Sequence, residues 1–351
     1  MKGQSLYHTF QRYRTLHTNR IHALPIVILM PHSSCNCRCI MCDIWKGNEQ
    51  KKMLTEEDVR GLIHTLKQLG TQQVVLTGGE ALLNPGLIQL CQILRAAGFY
   101  ITLLTAGITL ERHAHSVATF TDALIVSLDG DEEVHDQIRG IKGAYSKLKN
   151  GISKLRSLQP GFRITGRTVI HKLNFRIFPS IIESAKELGL QQISFLPADI
   201  SSQAFNGEIP WDEQRQHDVC IAVNELPQLK ELIDYIIQQY KHEFQTGFIA
   251  ESPQKLNMIY DYYKAIHGQG SFPFKKCNAP WVSVVIEPDG AVKPCFFHAS
   301  LGNIRQQPLE DILNGTQAVQ FRKELMKGNN SICERCVCYL NLPPTRHSFI
   351  Q

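Results

Sequence analysis

IVILMPHSSCNCRCIMC, residues Ile26 to Cys42, joins an apolar run of strand length to a loop holding four cysteines. The run is apolar through Met30, which fits a strand buried on both faces, the habit of parallel sheets. The loop then places Cys35, Cys37, Cys39 and Cys42 within eight residues. Cysteines this dense in a 351-residue chain read as a metal or iron–sulfur site rather than a disulfide framework. The spacing Cys35-x3-Cys39-x2-Cys42 can wrap three corners of a four-iron, four-sulfur (4Fe–4S) cube. Three thiolates on four irons leave one iron open to a substrate or cofactor. A four-ligand zinc site completed by His32 is the alternative on spacing alone, and a chance thiol cluster is the blander one.

Outward from this loop the chain alternates. Thr55 opens TEED, a capping-box-like start with Asp58 in the place of Glu, and Val59, Leu62, Leu66 and Leu69 follow at helical spacing. Gln73 to Leu76 reads as a strand ending in TGGE. Asn84-Pro85 reads as a cap plus first helical residue, ahead of Leu87, Ile88, Cys91 and Leu94. Further strands are expected at Phe99 to Leu104, Leu124 to Leu128, Phe162 to Ile170 and Ile193 to Leu196. Strands alternating with helices imply parallel βαβ units, in an open doubly wound sheet or a barrel. Residues 201–270 carry helical patterns only. From Trp281 the run WVSVVIEPDGAVKPCFF predicts a hairpin turning at Pro288-Asp289-Gly290.

Composition sets the outer bounds. A hydrophobic content of 43% and a charged content of 20% fit a globular chain. The net charge of +5 is too modest to imply nucleic acid. No apolar run has membrane length, and the basic N-terminus lacks the apolar core of a secretory signal, so a cytoplasmic location and no membrane partner are expected.

CNCRCIMC after a first strand resembles the signature of radical S-adenosylmethionine (SAM) enzymes. The resemblance extends to Thr77-Gly78-Gly79-Glu80 after the second strand, to Ser127-Leu128-Asp129-Gly130 after the fourth, and to His135 with Ile138-Arg139-Gly140. Two departures stand out: Met41 where an aromatic residue is common, and Ala106 where an Asn is. The resemblance implies a partial (β/α)6 barrel over residues 23–200, with these loops at one mouth. It implies a cluster on Cys35, Cys39 and Cys42 whose open iron chelates SAM, Cys37 being a bystander. It further implies Glu80 facing the SAM ammonium, Gly78 and Gly79 allowing close backbone approach, Ser127 and Asp129 on the ribose, and Arg139 on the carboxylate. Asn174 resembles another SAM-contacting position. His171 and Asp199 follow the fifth and sixth strands and are candidates for SAM contact, substrate contact or base; a structural hydrogen bond or loop cap is the alternative.

A second cysteine set closes the chain. Cys277, Cys295, Cys333 and Cys336 supply four thiolates, with Cys338 able to replace Cys336, and four thiolates suit a closed cluster or structural zinc. The Cys-x17-Cys around a hairpin, then Cys-x2-Cys, resembles the twitch domain, the short form of the SPASM domain. The domain plan expected is a basic arm (1–22), the barrel (23–200), a helical region (201–270), the auxiliary-cluster domain (271–340) and a tail (341–351). The arm is expected to be solvated.

The implied chemistry is oxidoreductase in kind. SAM is cleaved by one electron from a flavodoxin- or ferredoxin-type donor, a 5′-deoxyadenosyl radical takes a substrate hydrogen atom, and the auxiliary cluster accepts an electron. The first expectation for the substrate is a sugar, cyclitol or nucleoside undergoing dehydrogenation or epimerisation, because about 20 residues before the barrel are few for a leader-binding domain. The alternative is maturation of a ribosomal peptide. A non-catalytic iron–sulfur or zinc protein is the rival of another class.

Overall fold

The computed structural model describes residues 6–202, 204, 211–328 and 330–346; the ends of the basic arm and of the tail lie outside them. Six parallel strands, β1 (Ile26–His32), β2 (Gln73–Gly78), β3 (Tyr100–Thr105), β4 (Ala123–Ser127), β5 (Arg163–Ile170) and β6 (Gln192–Pro197), pair in sequential order. An N-terminal helix α1 (Leu6–Thr18) precedes them. Between them run α2 (Glu56–Gln68), α3 (Leu87–Ala96), α4 (Leu110–Phe120), α5 (Glu132–Arg139), α6 (Ala144–Leu158) and α7 (Phe178–Glu187). This is a partial (β/α)6 barrel.

Strand parity divides the core. Val27, Leu29, Val74, Leu76, Ile101 and Leu103 face outward and pack with the helices in one apolar cluster. Ile26, Ile28 and Val75, one residue out of phase, join a second cluster with Met30, Leu104 and Val285 that faces the lumen. Alternate side chains of a strand point to opposite faces, so both faces of IVILM are buried, as a continuous apolar run requires.

The hairpin forms as β7 (Ser283–Ile286) and β8 (Ala291–Lys293), with β9 (Gly302–Asn303) beside it. It does not stand apart. β7 pairs parallel to β1, Ile26 opposite Ser283 through Leu29 opposite Ile286, so nine strands make one sheet in the order β6-β5-β4-β3-β2-β1-β7-β8-β9. One ion pair ties the chain just after β9 to α2. Thr55 and Asp58 form the capping box of α2, and Arg305 donates to Asp58 Oδ1 at 2.9 Å and Oδ2 at 2.8 Å.

Two expectations need correction, and two helices went unread. Asn84 does not cap α3, which starts at Leu87 after Gly86. Its amide instead donates to Pro31 O at 2.7 Å and Leu54 O at 3.1 Å, bracing the end of β1. The basic arm is not solvated throughout: α1 buries Gln11, Arg12 and Thr15. Arg12 donates to Pro343 O at 2.9 Å and Arg346 O at 3.1 Å, and Trp281 Nε1 donates to Asn19 Oδ1 at 2.9 Å. The face is polar because its partners are carbonyls and an amide, so hydropathy gives no sign of it. Helices α4 and α5 also escaped the pattern, α5 being short and mostly polar.

Candidate active site

The cysteine loop is held from three sides before any ligand is considered. Asn48 brackets Cys35: the Cys35 amide donates to Asn48 Oδ1 and Asn48 Nδ2 donates to Cys35 O, both at 2.9 Å. The amides of Arg38 and Ile40 donate to Arg139 O and Ile138 O at 2.9 and 3.0 Å, laying the loop along the end of α5. On the third side the TGGE turn presses against it. Gly79 N donates to His32 O at 3.3 Å and Glu80 N to Ser34 O at 2.8 Å. A Cβ on Gly79 would stand 2.2 Å from Ser34 O, so this approach exists only for glycine.

Held this way, Cys35, Cys39 and Cys42 border one cavity of about 260 Å³ at the C-terminal ends of the strands. Gly78, Gly79, Ser127, Arg139 and Asp199 border it too. Cys37 does not. It is buried, and its amide donates to Cys35 Sγ at 3.4 Å. Hydrogen bonding to Cys35 and Cys39 drives the Cys37 thiol up. The Cys37 bond and the charge of Arg139 outweigh burial at Cys39 and bring its thiol down to about 6. The bond with Cys37 also lowers the Cys35 thiol, while burial pushes the Cys42 thiol up to about 12; a three-thiol donor set of this kind fits a cluster with an open iron.

Other expected SAM contacts are placed differently. Glu80 is buried and does not border the cavity. Its carboxylate accepts from Thr105 Oγ1 and Ala106 N at 2.9 Å, stitching β2 to β3. Burial outweighs these bonds and raises its pKa. Asp129 is fully buried and ion-paired with Arg139, whose other nitrogen donates to Cys39 Sγ at 3.4 Å. Burial opposes the Arg139 charge, but Asp129 and Cys39 prevail and hold it protonated. Asp129 is therefore committed to Arg139, and Arg139 to a carboxylate and a thiol. Asn174 is buried and caps the β5 loop: its amide donates to Asp129 O and Val169 O at 3.0 Å while Oδ1 accepts from His171 N at 2.9 Å. His171 is buried beside it, off the cavity, and burial followed by Arg139 drives it down to about 3. Neutral imidazole in that position serves the loop. Asp199 does reach the cavity, accepting from Ser201 N at 3.2 Å and Ser202 N at 3.1 Å.

Arg167 is the group that sequence reasoning missed. It stands on β5 in register with Ser127 and borders the cavity beside it. The signal was a cation near the C-terminal end of β5, at the strand parity that faces the lumen. Asp43, next to Cys42, was missed as well. It is buried and accepts from Lys46 Nζ at 2.8 Å, Trp211 Nε1 at 2.9 Å and Arg215 at 3.1 Å, tying the loop to residues 211–215.

The lumen continues inward as a cavity of about 320 Å³ that shares Thr77, Leu104, Arg167, Phe296 and Cys338 with the first. Glu251 and Lys255 border it, 3.5 Å apart. Beyond lies a third cavity of about 480 Å³, ringed by Cys277, Cys295, Cys333, Cys336 and Cys338. No three of these thiols, nor any His, Asp or Glu among the described residues, converge on a single-ion position. Thiols ringing a void suit a group larger than one ion. His298, also unforeseen, sets Nε2 3.4 Å from Cys333 Sγ, and the Cys336 thiol donates to Cys338 O at 3.0 Å. Cys338 borders all three cavities.

Comparison with known families agrees with this arrangement. Residues 29–185 match the radical SAM superfamily, and residues 277–337 match the iron–sulfur cluster-binding SPASM domain. This chain is a radical SAM enzyme with a SPASM-type C-terminal region. Its cofactors are SAM and 4Fe–4S clusters, one SAM-binding and one auxiliary. Curated relatives include the Fe-coproporphyrin III synthase of Methanosarcina barkeri, 25% identical over 89% of this chain and 80% of that protein. The AdoMet-dependent heme synthase of the same organism is 28% identical over 86% of each chain. The subtilosin biosynthesis protein AlbA of Bacillus subtilis is 23% identical over 87% of this chain and 65% of that one. The crystal structure of Streptococcus suis SuiB bound to S-adenosylmethionine shares the fold, with a TM-score of 0.65 at 13% identity over 96% of this chain and 79% of that one. Among the described residues no helix is long and apolar enough to cross a membrane.

Proposed function

We propose that this radical SAM enzyme modifies a peptide, removing a hydrogen atom from an unactivated carbon and oxidising the resulting substrate radical by one further electron. The observation that carries this reading is the run of three adjoining cavities from the first thiol set to the second, with Arg167 and Cys338 on shared walls. A substrate seated in the middle cavity would touch both ends. When bound, SAM and its cluster supply the 5′-deoxyadenosyl radical that takes the hydrogen atom. On the chain's side, Cys35, Cys39 and Cys42 hold that cluster. Ser127 and Arg167 border the cavity where a ribose hydroxyl and a carboxylate can be received, Arg167 Nε also donating to Ser194 Oγ at 3.4 Å. Cys277, Cys295, Cys333 and Cys336 hold the auxiliary cluster, and Cys338 faces the substrate side as well. Leu104, Leu196 and Phe296 line the route with apolar surface, which keeps water from a radical.

The peptide reading moves ahead of the sugar, cyclitol or nucleoside substrate because relatives named for peptides recur. They include AlbA, the PqqA peptide cyclase of Rhizobium meliloti and the maturation protein SkfB, although the chain spans only about two thirds of their length. SuiB bound to its precursor peptide shares the fold, with a TM-score of 0.63. A second reading, modification of a tetrapyrrole side chain, is favoured by the fuller coverage of the two Methanosarcina relatives. The test incubates reconstituted enzyme with carbon-deuterated precursor peptides and, in parallel, carbon-deuterated iron tetrapyrroles. Deuterium in 5′-deoxyadenosine from a peptide supports the first reading and from a tetrapyrrole the second. Transfer from neither would sink both.

A further inference from the structure

The two thiol sets differ in how they meet the solvent. Cys37 and Cys39 are buried, and Cys35 and Cys42 are half-buried under the barrel mouth. In the second set Cys277, Cys333 and Cys338 are exposed. The surface around that second set is unusual in two ways. Phe274 is 89% exposed and borders the void that the thiols ring, and Ile332, 41% exposed, borders it too. Met326, 61% exposed, adjoins Leu325 on the same rim. Large apolar side chains grouped at an opening mark an interaction surface. The charge beside them is one-sided. Lys275 borders the void, while Lys276 adjoins Cys277 and Lys327 adjoins Gly328, both of which border it. Arg335 lies between Glu334 and Cys336. Lys275, Lys276, Lys327 and Arg335 thus outnumber the two neighbouring carboxylates, Glu334 and Glu324, the latter adjoining Leu325.

We propose that this rim is the docking surface for an acidic one-electron carrier of the flavodoxin or ferredoxin type, which takes electrons from the chain at its second cluster. An apolar centre ringed by cations fits a partner with an exposed redox group set in an acidic surface. The carrier must come close for an electron to cross, and the exposed thiol set is the one a protein partner can approach. The electron count requires an acceptor. One electron enters to cleave SAM and leaves with the hydrogen atom in 5′-deoxyadenosine. The substrate radical then gives up one electron and a proton. That electron reaches the oxidised carrier, which is reduced by one equivalent, and the proton passes to solvent. Lys275, whose Nζ donates to Glu334 O at 2.7 Å, fixes one cation of the rim in place.

The inference rests on the second cysteine set being a redox centre, and it is tested without knowing the substrate. Reconstituted full-length enzyme is titrated with an oxidised flavodoxin and, separately, an acidic plant-type ferredoxin, at low and moderate salt. Photoreduced enzyme is then mixed with oxidised flavodoxin, and the flavin absorbance is followed by stopped flow. Binding that weakens at least tenfold with salt is expected, together with a tenfold or greater loss of affinity and of flavin-reduction rate in Lys276→Glu/Lys327→Glu. The control Lys149→Glu/Lys154→Glu carries the same charge change on the exposed face of α6. Equal loss in rim and control variants, binding indifferent to salt, or no binding of either carrier would each overturn the proposal. Deuterium transfer from a substrate bears on the catalytic reading alone, so the two can fail separately.

Discussion

Replacing Gly79 with alanine tests whether the TGGE turn sets the position of the cysteine loop. The added Cβ would lie 2.2 Å from Ser34 O, 2.7 Å from Ser34 C and 2.9 Å from Ser33 O, all backbone atoms that cannot rotate aside. Ordinary contact begins at 3.4 Å, so the loop must retreat by about 1.2 Å. That retreat breaks or stretches the bonds from Gly79 N to His32 O and from Glu80 N to Ser34 O. Two such bonds contribute about 1 kcal/mol each, and overpacking adds about 1–3 kcal/mol. A destabilisation of about 3–5 kcal/mol is survivable for a domain with a stability of about 5–15 kcal/mol. The displaced loop moves Cys35 relative to Cys39 and Cys42, so the protein should fold yet assemble only its second cluster. After reconstitution, iron per chain should fall to about half that of wild type, SAM cleavage should vanish, and the melting temperature should drop. Full iron with unimpaired SAM cleavage in Gly79→Ala would refute the reasoning.

Cys37→Ser should retain SAM cleavage whereas Cys39→Ser should abolish it, read by 5′-deoxyadenosine formation; the reverse pattern would overturn the ligand assignment. Asp58→Ala should cost about 1–2 kcal/mol through the lost bonds that Asp58 accepts from the Thr55 amide and from Arg305. Burial raises the Asp58 pKa, but Arg305 and Thr55 prevail and lower it below 3.8, so its contribution is present above pH 3.8 and lost as pH falls through the lower folded value. The stability gap between wild type and this variant, measured by urea titration, should be flat at neutral pH and close in acid. Asp43→Asn removes the charge that Lys46 and Arg215 meet, and Trp211→Phe removes one donor to it. Both should shorten the time a chelator needs to strip iron from the first site, Asp43→Asn more severely, with iron loss from the second site unchanged.

The parts legible in the sequence are those with a local signal. Cysteine spacing, the apolar run before it and the glycine pair after β2 each act within a few residues. Site roles were less legible because burial decides them. Glu80, Asp129, His171 and Asn174 sit at strand ends beside the mouth, yet Glu80 turns to Thr105 and Ala106, Asp129 to Arg139, His171 Nδ1 to Leu173 N and Asn174 to the backbone of the β4 and β5 ends. A strand end fixes where a residue starts, not which way its side chain leaves. Arg167 shows the converse: its lumen position follows from parity within β5, but its pairing with Ser127 depends on register between strands. Arg12 was illegible because its carbonyl partners lie more than 330 residues away.

The ladder between β1 and β7 bears on how the enzyme works as a redox device. Electrons cross protein by tunnelling, and the rate depends steeply on separation. Here the strand that feeds the first cysteine loop and the strand that leads towards Cys295 are hydrogen-bonded neighbours in one sheet. No hinge separates them, so the interval between the two cluster sites is set by backbone geometry. Side chains along the lumen can then change with the substrate while the strands that carry the two thiol sets stay in register.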